Sequence, residues 1–357
     1  MRGNAPLFEG KQVVITGGTG SLGKVLTRRL LSGAQGTPRK IVVFSRDEAK
    51  QHFMRVEYQQ KKRVTDEVIY RNFQQLLEFR IGDIRDYASV KSAIKGSDIV
   101  INAAALKQVP SCEYFPYEAV RTNVEGAENI VRAIRDNHIN VGTVVGVSTD
   151  KACKPVNVMG MTKALQERVF INANILIPET RFVCVRYGNV LASRGSVIPF
   201  FHEQIKSGGP VTITTENMTR FLLPLEKAVD TIFAAIRHAK PGEIYVPKVP
   251  TARIIDVAKA LIGKRPIALV ITGIRPGEKV HEILVSEEEA WRTFDAGDYY
   301  KIQPMLPELA SKQPRKPLGK EYSSGDAPMS PKEIHLLLKR YNLLVGDEIR
   351  EDGEFLR

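Results

Sequence analysis

The stretch Lys11–Leu31, KQVVITGGTGSLGKVLTRRLL, constrains this chain more than any other. An apolar run of strand length, Val13–Ile15, leads into glycines at 17, 20 and 23. Val25, Leu26 and Leu30 then recur at helical spacing. Strand, glycine turn and helix in that order open a nucleotide-binding βαβ unit. Glycines allow positive φ, and they let the backbone approach a pyrophosphate. That group is then held by the unpaired N–H donors at the helix N-terminus. A glycine triplet alone marks only a turn, and its position between an amino-terminal strand and a helix gives it meaning. Gly17, Thr19, Gly20, Ser21, Leu22 and Gly23 are the expected contacts.

The pattern continues. KIVVFSR reads as a second buried strand, and 47–78 as polar helix with a charged break at QKKR. EFRIGDIRD, DIVINAAA, GTVVGVST and TRFVCVRYGNV supply strands three to six. Helical segments lie between most of them, among them EAVRTNVEGAENIVRAIRD with Val120, Val124, Ala127, Val131 and Ile134 on one face. Strands alternating with helices give an α/β class, a Rossmann-like doubly wound parallel sheet covered on both sides. Residues 1–188 are expected to form it, with returns from about 221–241. Beyond Asn189 short strands (PVTIT, EIYVP, IALVITG) mix with helices and frequent Pro and Gly. Residues 189–300 therefore read as a smaller, interleaved α/β substrate domain, and 301–357 as a C-terminal arm and helix. Ser330, Pro331 and Glu333 start that last helix with a capping box. Ile334, Leu337, Leu338 and Tyr341 give it an apolar stripe that requires a docking surface.

Composition narrows the function. Of 357 residues, 43% are hydrophobic and 26% charged, ordinary for a globular protein. There is no apolar run of eighteen residues, so no membrane span is expected, and the start has no charged-then-apolar leader. Three widely spaced cysteines, Cys112, Cys153 and Cys184, fit neither a disulfide framework nor a metal site. A cytoplasmic location and no metal are expected. The net charge of +12 is scattered and not interleaved with aromatics, which argues against nucleic acid and is compatible with phosphorylated ligands.

The second strand bears on cofactor choice. An acid about twenty residues past the glycines would hold a ribose 2′-hydroxyl. Here Ser45 and Arg46 stand there, with Asp47 one step later. A guanidinium favours the 2′-phosphate of NADP; the plain alternative is a solvated surface arginine. Asp83 and Ile84 follow the third strand, where a carboxylate can accept from the adenine amino group. Ala103, Ala104 and Ala105 follow the fourth, where small side chains leave room.

At the carboxyl end of the fifth strand lies STDKACKPVNVMGMTK. Thr149, Asp150 and Lys151 sit where doubly wound folds keep their chemistry. Met159 and Lys163 are i, i+4 on one helix face, where a Tyr and a Lys would be expected in a dehydrogenase. A thioether has no proton to exchange. Either the chain does no redox chemistry, or the work has moved to Thr149, Asp150 and Lys151.

These words together resemble the extended short-chain dehydrogenase/reductases. Within them the chain is similar to bacterial UDP-N-acetylglucosamine 4,6-dehydratases of capsule and surface-glycan synthesis, including those that also epimerise carbon 5. The likeness runs from about residue 8 to 300. It is carried by ITGGTGSLG, FSRDE, AALKQVPSCEYFPYEAV, STDKACKPVNVMGMTKA, RYGNVLASRGSVIPFF, MTRF, IRPGEK and GDYY, with EYSS further on. Some of these enzymes also carry Met in place of Tyr. The resemblance implies oxidation at carbon 4, loss of water across carbons 5 and 6, and hydride return to carbon 6. It makes Lys151 the base at carbon 5 and Asp150 the acid at carbon 6. Thr149 would bond the oxygen on carbon 4, and Lys163 the nicotinamide ribose. The reference pKa of lysine is about 10.4, and crowding by Lys163 and Lys107 is expected to lower that of Lys151. Tyr187 and Lys107 join the cofactor contacts. Asn189, Ser196, Val197, Arg220, Arg275, Glu278 and Lys107 are expected on the UDP-sugar. A homo-oligomer, dimer or hexamer, is implied. The competing readings are a nucleotide-sugar 4-epimerase, which needs no base at carbon 5, and a non-catalytic NADP-binding regulator.

Overall fold

The strand that precedes the glycine turn lies inside a nine-stranded sheet. The computed structural model describes residues 6–60, 67–191, 196–310 and 316–346. Residues 61–63 of the charged QKKR break, 311–315 of the arm and 347–357 lie outside them. The chain runs β1 (Gln12–Thr16), α1 (Ser21–Leu31), β2 (Lys40–Ser45), α2 (Glu48–Gln60), α3 (Glu67–Leu76), β3 (Leu77–Ile81), α4 (Tyr87–Ile94) and β4 (Ile99–Asn102). It continues through α5 (Val109–Tyr114), α6 (Pro116–Ala119), α7 (Gly126–Asp136), β5 (Thr143–Thr149), α8 (Val158–Leu176) and β6 (Arg181–Tyr187). These strands pair in parallel, ordered β6-β5-β4-β1-β2-β3. Every residue of β1 is buried, as is most of β2 and β6, because helices cover both faces. That is why these strands read as continuous apolar runs without alternation. Strand order reverses between β1 and β4, and a crevice opens there beyond the carboxyl ends.

The second half is a smaller unit threaded with returns. It contains α9 (Val197–Lys206), β7 (Val211–Ile213) and β8 (Thr219–Phe221). Then α10 (Leu225–His238) and β9 (Ile244–Pro247) return to the main sheet, followed by β10 (Thr251–Arg253), α11 (Ile254–Ile262) and β11 (Leu269–Ile271). β12 (Ile283–Val285) and α12 (Glu287–Ala290) lead to β13 (Thr293–Asp295) and β14 (Tyr299–Ile302), which form an antiparallel edge. β15 (Tyr322–Ser323) and α13 (Pro331–Arg340) end the described chain.

The returns therefore extend past 241. EIYVP, expected in the substrate domain, is β9 of the main sheet, parallel to β6 and buried at all four residues. The unit β6–α10–β9 is another crossover, so its strand is covered on both faces like the earlier ones. The long helix expected over 118–136 is interrupted. A π-helical turn at 120–125 separates α6 from α7 and shifts the phase of the buried face. Thr122 and Asn123 turn inward, while Val120 and Val124 are half-buried. The capping box at Ser330 and Glu333 forms as read. Ile334 and Leu338 pack into a second core with Ile198, Phe201, Val257 and Leu261. The C-terminal helix thus docks on the smaller unit. Among the described residues no helix is long and apolar enough to cross a membrane.

Candidate active site

The cleft at the switch point has a volume of about 430 Å³, within the usual range for a small-molecule site. Gly17, Thr19, Gly20, Ser21, Leu22 and Gly23 line it from the turn and first helix. Ser45, Arg46, Asp83 and Ile84 line it from the ends of β2 and β3, and Ala103, Ala104, Ala105 and Lys107 from the loop after β4. One glycine of the motif triplet is conformationally required. Only Gly17 of the three has positive φ, at +66°, and a Cβ there would stand 2.8 Å from the backbone of Ala104. Gly20 caps α1 without a side-chain hydrogen bond, so no side chain covers the N–H groups of the first turn. This is a cradle for an anion, and it fits a dinucleotide pyrophosphate. The Thr19 and Ser45 hydroxyls, 2.8 Å apart, tie the turn to β2.

Where β2 and β3 end, Arg46 Nη1 lies 3.9 Å from Asp83 Oδ2 and is largely exposed. Asp83 is gripped by Arg85 through Nε and Nη2 at 3.0 and 2.7 Å, and Arg85 in turn reaches Glu118. Burial works against the Asp83 carboxylate, but the Arg85 hydrogen bonds and charge outweigh it and hold its pKa below the ordinary value. Lys50 also lines the cleft and pairs with Asp47 at 2.8 Å. The sequence motifs did not single it out. The available signal was its place one helical turn beyond Arg46 in FSRDEAK.

The chemical corner is built on the end of β5. Thr149 caps a 3₁₀ turn, Asp150–Ala152, that swings two charged side chains inward. Thr149 Oγ1 donates to Asp150 Oδ1 at 2.8 Å, and Lys151 Nζ donates to the same oxygen at 3.1 Å. Asp150 is fully buried, and its Oδ2 has no partner among the described residues. Lys151 keeps 23% of its side chain exposed and also lies 3.4 Å from Glu282 Oε1. Gly160 makes the turn possible: a Cβ there would fall 2.1 Å from the Lys151 carbonyl oxygen.

The expected depression of Lys151 is not found. Burial does lower its pKa, but Asp150 and Glu282 raise it more, against Arg220, and the net shift is upward. The crowded lysine is Lys163. Burial pushes it down to about 8, and its Nζ donates to Gln166 Oε1 at 2.6 Å. Met159 packs in an apolar cluster with Cys112 and Ala119, flanked by Leu106, Val109 and Val158.

Lys163, Tyr187 and Asn189 do not line the cleft but continue the row of α8 and β6 ends beyond it. Burial raises the Tyr187 phenol well above its ordinary pKa. Asn189 Oδ1, Ser196 Oγ and Glu278 Oε2 are buried without partners among the described residues. Val197 opens α9 beside Ser196. Arg220 is buried, donating to Thr219 O and Val280 O at 2.7 and 3.1 Å. Arg275 is exposed, on a loop tied to the corner at two points. Asn157 Nδ2 donates to Gly277 O at 2.8 Å, and Lys279 Nζ to Cys153 O at 2.6 Å. Asn123, presented by the π turn, accepts from Leu106 N at 2.9 Å and donates to Leu106 O at 3.0 Å, holding the loop of Lys107. Neither Asn123 nor Glu282 was singled out by the sequence.

A parallel sheet with a glycine-turn cleft, an interleaved second unit and an acid–lysine corner at the carboxyl edge define an extended short-chain dehydrogenase/reductase. The chain belongs to the polysaccharide biosynthesis protein family, whose model matches residues 13–304. The UDP-glucose 4-epimerase of Rickettsia typhi is 46% identical over 301 residues, covering 83% of this chain and 84% of that protein. The X-ray structure of Pen from Bacillus thuringiensis superimposes with a TM-score of 0.83 at 34% identity, covering 94% of this chain and 99% of Pen. DesIV, a dTDP-glucose 4,6-dehydratase from Streptomyces venezuelae solved with NAD and TYD bound, has a TM-score of 0.63. At 19% identity, covering 75% of this chain and 86% of DesIV, it shares the fold.

Proposed function

We propose that this chain is an NADP-dependent UDP-N-acetylglucosamine 4,6-dehydratase that inverts carbon 5. The observation that carries the reading is the hydrogen-bonded trio Thr149, Asp150 and Lys151 on one turn, with Asp150 fully buried. An acid and a lysine on one turn suit an elimination across two adjacent carbons. Inversion is favoured by the words KQVPSCE and GDYY.

When bound, the nicotinamide dinucleotide would supply a hydride acceptor for carbon 4 and, once reduced, a hydride donor for carbon 6. The chain's residues do the rest. Lys163, whose pKa burial lowers to about 8, would hold the nicotinamide ribose. Thr149 bonds the oxygen on carbon 4 and passes its hydroxyl proton to Asp150 Oδ1, to which Thr149 Oγ1 already donates. Once that carbon is a ketone, the proton on carbon 5 is acidic, and Lys151 removes it; when the hydride has entered at carbon 6, a proton from solvent joins carbon 5 on the opposite face, which inverts it. Asp150 gives a proton to the carbon 6 hydroxyl, which leaves as water. Lys151 must first shed the proton that Asp150 and Glu282 favour. The unpartnered atoms of Asn189, Ser196 and Glu278 support a polar ligand beyond the cleft, which suits a UDP group. Arg220 and Arg275 add positive charge to meet the diphosphate. Arg46, with Lys50 one turn on, supports NADP over NAD.

A second reading, a 4-epimerase, is favoured by the name of the Rickettsia relative. Mass spectrometry after incubation with UDP-N-acetylglucosamine separates the two. The dehydratase removes the mass of one water; an epimerase leaves the mass unchanged and alters carbon 4. An unchanged mass overturns the proposal.

A further inference from the structure

We propose that Glu282 is a positioning residue for Lys151, a second carboxylate beside Asp150 that aims its Nζ and sets the pH at which it gives up a proton. The catalytic part of this rests on the reading of Lys151 as the base at carbon 5.

Glu282 is 3% exposed. Its Oε1 stands 3.4 Å from Lys151 Nζ and 3.8 Å from Arg220 Nε. A carboxylate present only to neutralise Arg220 would lie closer to it than to the lysine, and Arg220 already gives Nη1 to two backbone carbonyls. The backbone of Glu282 is fixed from behind by the returning C-terminal arm. Its N–H donates to Ser324 Oγ at 2.9 Å, and its carbonyl accepts from Ser324 N at 2.8 Å. The arm thus plants the carboxylate against the corner, which gives EYSS a purpose that the sequence left open.

The charges facing Lys151 come from several elements. Asp150 is on its own turn, Arg220 on β8, and Glu282 and Lys279 on the loop leading into β12. The two acids favour the ammonium; burial, Arg220 and Lys279 oppose it. An opposite charge within about 4–6 Å is worth about one to three pKa units. With Glu282 neutralised, Lys151 should release its proton at a pH lower by about one unit or more.

Two readouts test this. The first needs no sugar: reductive methylation of Lys151, followed by peptide mass spectrometry as a function of pH. Below the lysine pKa, Glu282→Gln should label about tenfold faster for each pH unit by which the proton leaves earlier. The second is the pH profile of water loss. Its rising limb in kcat/KM should move to lower pH in Glu282→Gln, while the plateau falls because Nζ is less firmly aimed. Glu282→Asp keeps the charge but withdraws it by one methylene, so both readouts should move the same way by a smaller step. If Glu282→Gln does not fold, the Asp step alone decides. Labelling that matches wild type in a folded variant overturns the proposal, as does an unmoved limb. If wild type releases no water from UDP-N-acetylglucosamine, the reading of the reaction fails separately. The labelling profile then still decides whether Glu282 governs Lys151.

Discussion

Gly160→Ala is the sharpest structural perturbation of the corner. In an ordinary helix interior, alanine in place of glycine stabilises by about 0.5–1 kcal/mol. Here the new Cβ would stand 2.1 Å from the Lys151 carbonyl oxygen, 2.9 Å from its carbonyl carbon and 3.2 Å from Pro155 Cβ. Reaching the 3.4 Å of ordinary contact requires about 1.3 Å of movement between α8 and the 3₁₀ turn. Backbone faces backbone, so no flexible side chain can give way. Overpacking of this kind costs about 1–3 kcal/mol, which outweighs the helix-propensity gain. The displaced residue is Lys151 itself, and a misplacement of about 1 Å can cost about a hundredfold in rate. The expected result is a variant destabilised by about 1–2 kcal/mol in urea unfolding and slowed about a hundredfold in water loss. Its affinity for the dinucleotide should fall far less than its rate, because the glycine turn and the ends of β2 and β3 that line the cleft are untouched. A variant that is more stable than wild type and equally fast would refute the close approach of helix and turn.

Arg46→Ala should weaken NADP about ten- to a hundredfold, the worth of one charged hydrogen-bonded contact, and leave NAD nearly untouched. Equal losses for both cofactors would remove Arg46 from the 2′-phosphate. Glu289 meets the buried guanidinium of Arg186 at 2.6 Å; burial raises its pKa, but Arg186 overrides this and holds it at about 2. A carboxylate depressed on folding adds stability above its unfolded pKa of about 4.5, lost as pH falls toward 2; roughly 3 kcal/mol is at stake. Glu289→Gln should cost about 3 kcal/mol at pH 7, and no more, because Glu167 still pairs with the Arg186 guanidinium at 2.7 Å. It should also flatten the acid limb of stability; equal urea midpoints for variant and wild type at pH 7 would contradict this.

The parts of the molecule that follow local rules were legible in advance. The glycine turn, the strands of the first half and the capping box at Ser330 depend on neighbours within a few residues. So did Thr149, Asp150 and Lys151, which sit at a strand end. What escaped depends on residues distant in sequence. β9 is part of the main sheet only because α10 carries the chain back to β6. The π turn at 120–125 has no composition signal; its Asn123 bonds Leu106, 17 positions away. The charge state of Lys151 was misread for the same reason. The expectation counted the lysines at 107 and 163, whereas the charge is set by Asp150 beside it together with Glu282, 131 positions along the chain. The close contact of Gly160 with Lys151 likewise appears only when α8 folds back on the turn.

The central claim is that Lys151 acts on carbon 5 after carbon 4 has been oxidised. Lys151→Ala, mixed with UDP-N-acetylglucosamine in heavy water, tests it most directly. Losing a general base costs about a hundred- to ten-thousandfold. Water loss should therefore nearly stop, and recovered substrate should carry no deuterium at carbon 5. The near-ultraviolet absorbance of reduced nicotinamide should still rise, because oxidation at carbon 4 does not use this side chain. Water loss at close to the wild-type rate would contradict the account, as would an inactive variant that gives no absorbance change.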